Sequence, residues 1–375
     1  MKKKICHLTS MHHRFDGRIF HKECVSLSNA GYDVSLIVAD GKGDEIVDGI
    51  KIYDVGKELS RITRFSKLLK KIKYRAIELN CEVYHFHDPE LLFVGLSLKK
   101  IDKKVIFDMH ENIPEYISEK QNIRPLLLRK IIAFLYERIE KYAVKKFDAI
   151  ISTRESINER LSDYNSNIEL ITNFPIVENN IKKTFDLVPS ICFAGVVASD
   201  WRHKEIINAI DGLEKVKYIL AGPAPDLRYF DELKKLKGWG KVNYLGRVPF
   251  DQVKLVYQKA SIGVAIYVYC KNMDDKKGNL ANTKLFEYMN WEIPIICTDY
   301  SLWKQIVVEE VQCGICVNPY DEDAISNAIK YLIDNPEVAV KMGKNGRKAV
   351  LSTYNWDTQA KKLVALYNKA TKNNC

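Results

Sequence analysis

Short apolar runs of strand length alternate with runs of helical period along nearly all of this 375-residue chain. That alternation leaves few architectures open. The strand-length runs are 4–9 (KICHLT), 33–39 (DVSLIVA), 82–87 (EVYHFH), 104–109 (KVIFDM) and 148–152 (DAIIS), then 190–195 (SICFAG), 216–221, 241–245, 261–267, 293–297 and 313–317. Helical spacing falls at 18–30, 59–79, 123–146, 203–212, 228–237, 250–259, 283–291, 321–334 and 336–352. Strands apolar throughout are covered on both faces, which means parallel sheets flanked by helices. The series pauses at 173–187 (NFPIVENNIKKTFDL), a polar stretch opened by a Phe-Pro step. The expected class is α/β, with two doubly wound parallel-sheet domains at 1–172 and 188–352 joined by a linker at 173–187. Open sheets of this kind bind ligands beyond the carboxyl ends of their strands.

Composition narrows the partners. A formal charge of +10 points to an anionic one: a nucleotide, a membrane surface or a nucleic acid. No nucleic-acid-binding motif is visible, so that partner is not expected. The richest apolar stretches, 91–98 (LLFVGLSL) and 262–270 (IGVAIYVYC), are about half the roughly 18–20 residues that cross a bilayer. The start MKKKICHLTS has neither an apolar export region nor a cleavage site, so a cytoplasmic chain is expected. The nine cysteines are odd in number and scattered among apolar neighbours, as reduced core thiols are. Cys313-Gly-Ile-Cys316 lacks a second pair for zinc and reads as structural.

The usual phosphate signatures, G-x-x-x-x-G-K-[ST] and G-x-G-x-x-G, are absent. The first strand runs instead into His12-His13-Arg14-Phe15-Asp16-Gly17-Arg18. Here Gly17 permits close backbone approach, and Arg14 and Arg18 offer donors to phosphate or sugar oxygens; an ordinary loop with Asp16 as helix cap fits equally well. His85-Phe86-His87-Asp88-Pro89-Glu90 ends a strand, with His85 and His87 on one face. Asp88 beside them imitates a metal site, but ligand type alone is weak evidence. The preferred reading has Asp88 capping the next helix and the histidines packing or lining the ligand site. Asp108-Met109-His110-Glu111 ends the next strand and puts His110 on the rim, with a core histidine as the alternative. Seven of the eight histidines lie in residues 1–110, which makes the first half the polar, substrate-facing one.

In the second half, Arg202 and Lys204 follow the strand at 190–195 and suit a diphosphate. Gly278-Asn279-Leu280-Ala281-Asn282-Thr283-Lys284 is a loop opening a helix, where free amides hold phosphate. Glu287, one turn in, is placed to accept ribose hydroxyls, with compensation of the helix dipole as the alternative reading. Asp321-Glu322-Asp323 opens another helix and reads as cap and dipole residues rather than a metal triplet. Residues 59–77 carry seven Lys/Arg and no acid, with Leu59, Ile62, Phe65, Leu69 and Ile72 at helical spacing. Such a helix rests on anionic lipid, with Arg64, Lys67, Lys70 and Lys71 toward the surface, or else packs on its sheet with a solvated basic face. The stretch 124–146 is similar but more mixed in charge.

Several segments together resemble a known family. CHLTSMHHRFDGRIFHKECVSLSNAGYDVSLIVAD, HFHDPELL, FDMHENIPE, LAGPAPD and NTKLFEYMNWEIPIICTDY are similar, in order, to retaining GT-B glycosyltransferases of family 4. The likeness is greatest to bacterial members that assemble capsule, O-antigen and exopolysaccharide. It implies two Rossmann-like domains facing across a cleft, with 353–375 (YNWDTQAKKLVALYNKA within it) crossing back to the first. It also implies a nucleotide-sugar donor, UDP-sugar favoured over GDP-sugar, in the second domain and a lipid-linked or oligosaccharide acceptor on the first. No cofactor and no metal are implied, and an anionic membrane surface is a natural partner. By the same resemblance Arg202 and Lys204 serve the diphosphate, Glu287 the ribose, and His110 the reaction centre. Asn279, Leu280, Ala281, Thr283 and Lys284 surround the donor. Arg14, Asp16, Gly17, His87 and Asp88 form the phosphate or acceptor side. Two positions depart from the family pattern: Asn279 stands where a first glutamate contacts the donor sugar, and Glu292 where a glycine is expected. They leave a non-catalytic, nucleotide-sugar-binding homologue as the alternative.

Overall fold

The computed structural model describes residues 2–58, 60, 64–119, 125–184 and 187–371. Two compact units emerge, Met1–Asn173 with Trp356–Cys375, and Phe174–Asn355. The first is built on β1 (Lys4–Leu8), β2 (Asp33–Val38), β3 (Glu45–Val47), β4 (Ile50–Asp54), β5 (Val83–Phe86), β6 (Lys104–Met109), β7 (Ala149–Ser152) and β8 (Ile168–Leu170). They form one sheet in the order β3-β4-β2-β1-β5-β6-β7-β8, parallel except for β3 on β4. Successive residues bury on opposite faces. Cys6, Tyr84 and Phe107 face one core, and Ile5, Val83 and Ile106 the other. This two-sided burial is why the strands read as unbroken apolar runs.

The second unit contains β9 (Ser190–Ala194), β10 (Lys217–Ala221), β11 (Val242–Gly246), β12 (Ile262–Ala265), β13 (Ile295–Thr298) and β14 (Gly314–Val317). Its sheet is wholly parallel, ordered β11-β10-β9-β12-β13-β14. The winding reverses beside β1 in one sheet and beside β9 in the other. These are the switch points where such sheets open a crevice.

Several expectations need adjustment. β3, β4 and β8 were not anticipated, because they are short and only partly buried. The helix Leu92–Lys99 buries four residues and is too uniformly apolar to show a period. The stretch 173–187 is no free linker over its described residues. Phe174 packs on Phe286 at 4.5 Å, Val177 and Ile181 join the second unit's core, and Lys183 Nζ donates to the carbonyls of Tyr257 and Ala260. The helix Trp356–Thr371 packs Leu363, Leu366 and Tyr367 into the first unit beside Ile5 and Val83. Asp321 caps its helix, accepting from the Ala324 amide at 2.9 Å.

The basic segment 59–77 begins its described helical part with a turn at Arg64–Leu68 and continues as the helix Leu69–Leu79. Leu68, Ile72 and Ala76 are fully buried on the sheet, so this apolar face is occupied by protein rather than open to lipid. Lys67, Lys70 and Lys71 are exposed, and Lys71 pairs with Glu58. Leu59, Ile62 and the side chains of Arg64 and Phe65 lie outside the described residues. The helix Leu126–Val144 behaves in the opposite way. Leu126, Leu127, Ile131, Phe134, Leu135 and Tyr142 all stand exposed. No described helix is long and apolar enough to cross a membrane.

Candidate functional site

Each unit gathers polar side chains near the carboxyl end of its switch-point strands. In the second unit, Glu287 sits in the helix Lys284–Asn290. Its carboxylate accepts from Thr283 Oγ1 at 2.9 Å, Tyr257 OH at 2.5 Å and Lys284 Nζ at 2.8 Å. Burial alone raises this carboxyl, but the Lys284 ammonium and the two hydroxyls outweigh it and hold Glu287 below its ordinary value. A Cβ added at Gly195, just past β9, would stand 3.3 Å from Lys284 Cε, so the lysine stem crosses the strand end. The turn beneath is built by backbone contact: a Cβ at Gly222, whose φ is +140°, would lie 1.7 Å from the Gly195 carbonyl oxygen.

Arg202 is held in the left-handed region, φ 47°, at the start of the helix His203–Asp211. Its guanidinium pairs with Glu205 and lies 4.7 Å over the Tyr320 ring, while its buried Nε has no hydrogen-bond partner. Lys204 is exposed. Arg202 precedes that helix in a left-handed turn and Lys204 lies within it; the cation beside Glu287 is Lys284. Asn279 is 4 % exposed and turned into its own loop. It donates to the Asn272 carbonyl and accepts from the Ala281 amide, and its carbonyl accepts from Trp303 Nε1. Leu280 packs against the core. Glu292 lies three residues before β13 with φ 54°, a conformation that suits glycine.

In the first unit, Arg14 is not free to bind a ligand. Its guanidinium is enclosed by Asp40, Glu45 and the Gly43 carbonyl. Asp16 serves as the cap, accepting from the Arg18 and Ile19 amides at 2.8 and 3.0 Å. Burial raises its carboxyl, but His12 and these amides overcome that and hold it well below the usual range. Gly17 is exposed and a Cβ there would meet nothing within 4 Å, so nothing in the chain requires glycine. Asp88 does not cap through its side chain. The carboxylate reaches back to the loop after β1, accepting from Thr9 Oγ1 at 2.7 Å and the Ser10 amide at 2.6 Å.

The histidines form a connected array. His110, partly exposed, meets Asp108 Oδ2 through Nε2 at 2.8 Å, and His87 Nδ1 meets the same oxygen at 3.2 Å. Arg18 grips Asp108 with two nitrogens, at 2.8 and 3.0 Å. Burial opposes the Asp108 charge, yet Arg18 and His110 keep the carboxyl well below its ordinary value. Deeper in, His7, His85 and His87 are wholly buried, and desolvation pushes all three imidazoles down toward the neutral form. The sequence reading missed His7, Glu23 and Tyr367 as parts of this array, and it offered Arg18 to a ligand where the fold gives that guanidinium to Asp108. The parallel register that sets His7 opposite His85 is the signal that gathers them.

The comparisons agree with this architecture. Residues 178–349 match the family model "Glycosyl transferases group 1", and residues 17–174 match "Glycosyltransferase Family 4". A stretch of 77 residues is 29% identical to an MMP alpha-(1->4)-mannosyltransferase of Mycolicibacterium hassiacum. That stretch is 20% of this chain and spans only 19% of that relative. Among solved structures, sucrose-phosphate synthase from Thermosynechococcus elongatus is similar with a TM-score of 0.74 at 16% identity, over 98% of this chain and 99% of that one. Anabaena HepE, solved in complex with UDP-glucose, is similar with a TM-score of 0.72 at 13% identity, over 97% and 99%. With one glycosyltransferase family model on each unit and two doubly wound sheets beneath them, this chain is, by family and fold, a GT-B glycosyltransferase.

Proposed function

We propose that the chain moves a sugar from a nucleoside-diphosphate sugar, UDP-sugar before GDP-sugar, to a lipid-linked or oligosaccharide acceptor in surface polysaccharide synthesis, with retention at the anomeric carbon. The observation that carries this reading is the Glu287 constellation beside the β9 switch point, with Arg202 on the segment that follows β9. Glu287 is kept ionised and already accepts from hydroxyl groups, so ribose hydroxyls can take the places of Thr283 and Tyr257. Lys284 and Arg202 carry the positive charge for the diphosphate, and Lys204 adds to the field from solvent. The sugar–phosphate C–O bond breaks and a C–O bond to the acceptor hydroxyl forms on the same face. The acceptor's proton leaves with the departing phosphate oxygen, so no carboxylate base is needed. UDP-glucose bound to HepE supports the donor class.

On the acceptor side, His110 donates Nε2–H to Asp108 and so presents Nδ1 as an acceptor for a sugar hydroxyl. The exposed apolar residues of Leu126–Val144, interleaved with Arg129, Lys130, Arg138 and Lys141, make this helix the membrane-facing element in place of 59–77. The engaged amide of Asn279 favours a second reading, a nucleotide-sugar-binding subunit without turnover.

Thermal-shift titration with UDP-, GDP-, ADP- and dTDP-sugars, paired with release of free nucleotide, tests both. A UDP-sugar shift with turnover supports transfer, and a shift without turnover supports the second reading. Loss of one electrostatic donor costs on the order of 3–4 kcal/mol in such sites, so Arg202→Ala and Glu287→Ala are expected to lower turnover a hundredfold or more. Unchanged turnover in both variants overturns the site.

A further inference from the structure

Four ligand atoms converge inside the first unit, well beneath the rim histidine. They are His7 Nδ1 on β1, His85 Nε2 on β5, His87 Nε2 just beyond β5, and Glu23 Oε2 on the helical turn Ile19–Cys24. All four residues are 0–2 % exposed. The Glu23 oxygen lies 3.8 Å from His7 Nδ1, 3.8 Å from His87 Nε2 and 4.0 Å from His85 Nε2, and the His7 and His87 nitrogens are 3.0 Å apart. Tetrahedral zinc, with bonds of about 2.0–2.1 Å to nitrogen and oxygen, sets its ligand atoms roughly 3.4 Å apart. These four separations bracket that edge, and all four ligand atoms lie within 4.8 Å of one another.

Two further observations single this cluster out. His85 Nε2 and Glu23 Oε2 are buried without a hydrogen-bond partner, whereas the other Glu23 oxygen is paired with Arg18 Nε at 3.0 Å. Each imidazole is also held from outside by its other nitrogen. His87 Nδ1 rests on Asp108, while His85 Nδ1 and His7 Nε2 meet the Tyr367 hydroxyl at 2.9 and 3.3 Å. A second nitrogen fixed on a carboxylate or hydroxyl is the arrangement that orients metal-bound histidine.

We propose that His7, Glu23, His85 and His87 form a closed tetrahedral site for a zinc-class divalent cation. Four protein ligands leave no open position, so the ion is structural. It ties the turn at Glu23 to the two central strands and, through Tyr367, to the carboxyl-terminal helix. The proposal does not depend on the donor reading above, since it concerns only the first unit's interior.

The test uses the full chain, freed of any purification tag. Elemental analysis is expected to find about one equivalent of zinc, or the chain to take up one equivalent of added Zn2+ with a rise in Tm. Co2+ is expected to give the intense visible absorption of a tetrahedral centre. His85→Ala and Glu23→Ala abolish that absorption, whereas His110→Gln, on the neighbouring His87–Asp108 group, keeps it. Tyr367→Phe, which removes an outer hydrogen bond, weakens Zn2+ by about 10–100-fold. Background zinc with neither a Co2+ band nor a Zn2+ shift overturns the site, as does a band lost in His110→Gln and kept in His85→Ala. Should the alanine variants not fold, the wild-type zinc content and Co2+ spectrum decide alone.

Discussion

Arg18 and Asp108 are ninety residues apart in sequence and meet through two nitrogens and two oxygens, both side chains out of solvent. Removing the guanidinium leaves a buried carboxylate without its main counter-charge. Arg18→Met is expected to cost on the order of 3–5 kcal/mol in urea unfolding. The double variant Arg18→Met/Asp108→Asn should recover part of that loss, because the orphaned charge goes too. Equal destabilisation in the single and double variants would count against the pairing.

Stability should fall in acid through His203. Buried against Phe193 and bonded to the Tyr218 hydroxyl at 2.8 Å, its imidazole is pushed down by desolvation to about 3 from an ordinary 6.5. Above pH 6.5 neither state binds the proton and His203 has no effect. As the pH falls below 6.5 the unfolded chain takes a proton the folded one refuses, costing up to about 1.4 kcal/mol per pH unit until about pH 3. Urea midpoints for wild type and His203→Gln between pH 7.5 and 5 are expected to diverge, with the variant flatter.

Two glycines should respond in opposite ways. Gly222→Ala sets a Cβ 1.7 Å from a backbone oxygen that cannot swing aside, at a φ of +140°. A loss above about 2 kcal/mol in Tm-derived stability is expected. Gly17→Ala meets open space and should stay within about 0.5 kcal/mol of wild type. A binding defect in a stable Gly17→Ala protein would then report a ligand approaching that backbone.

The exposed face of Leu126–Val144 yields a membrane prediction. Leu127→Glu with Phe134→Glu, at side chains 67% and 52% exposed, should leave Tm nearly unchanged. Flotation with anionic vesicles is expected for the wild type and lost in the double variant. Equal flotation of both would assign membrane contact to another surface.

The α/β class, the six strands of the second sheet and the placing of Glu287 one turn into its helix follow from the sequence, since hydrophobic period and loop-to-helix spacing are local properties. Period also puts His85 and His87 on one face. It cannot say what stands across from them, because strand register and helix packing are set by contacts between distant segments. The parallel pairing of β1 with β5 sets His7 opposite His85, and the last helix brings in Tyr367, 360 residues from His7. Tertiary structure likewise decided that Arg14 is enclosed by carboxylates, that Asn279 is tied into its own loop, and that Lys284 is the cation on Glu287. A charged residue's role depends on which opposite charge folding brings within reach, and that information is spread over the whole chain.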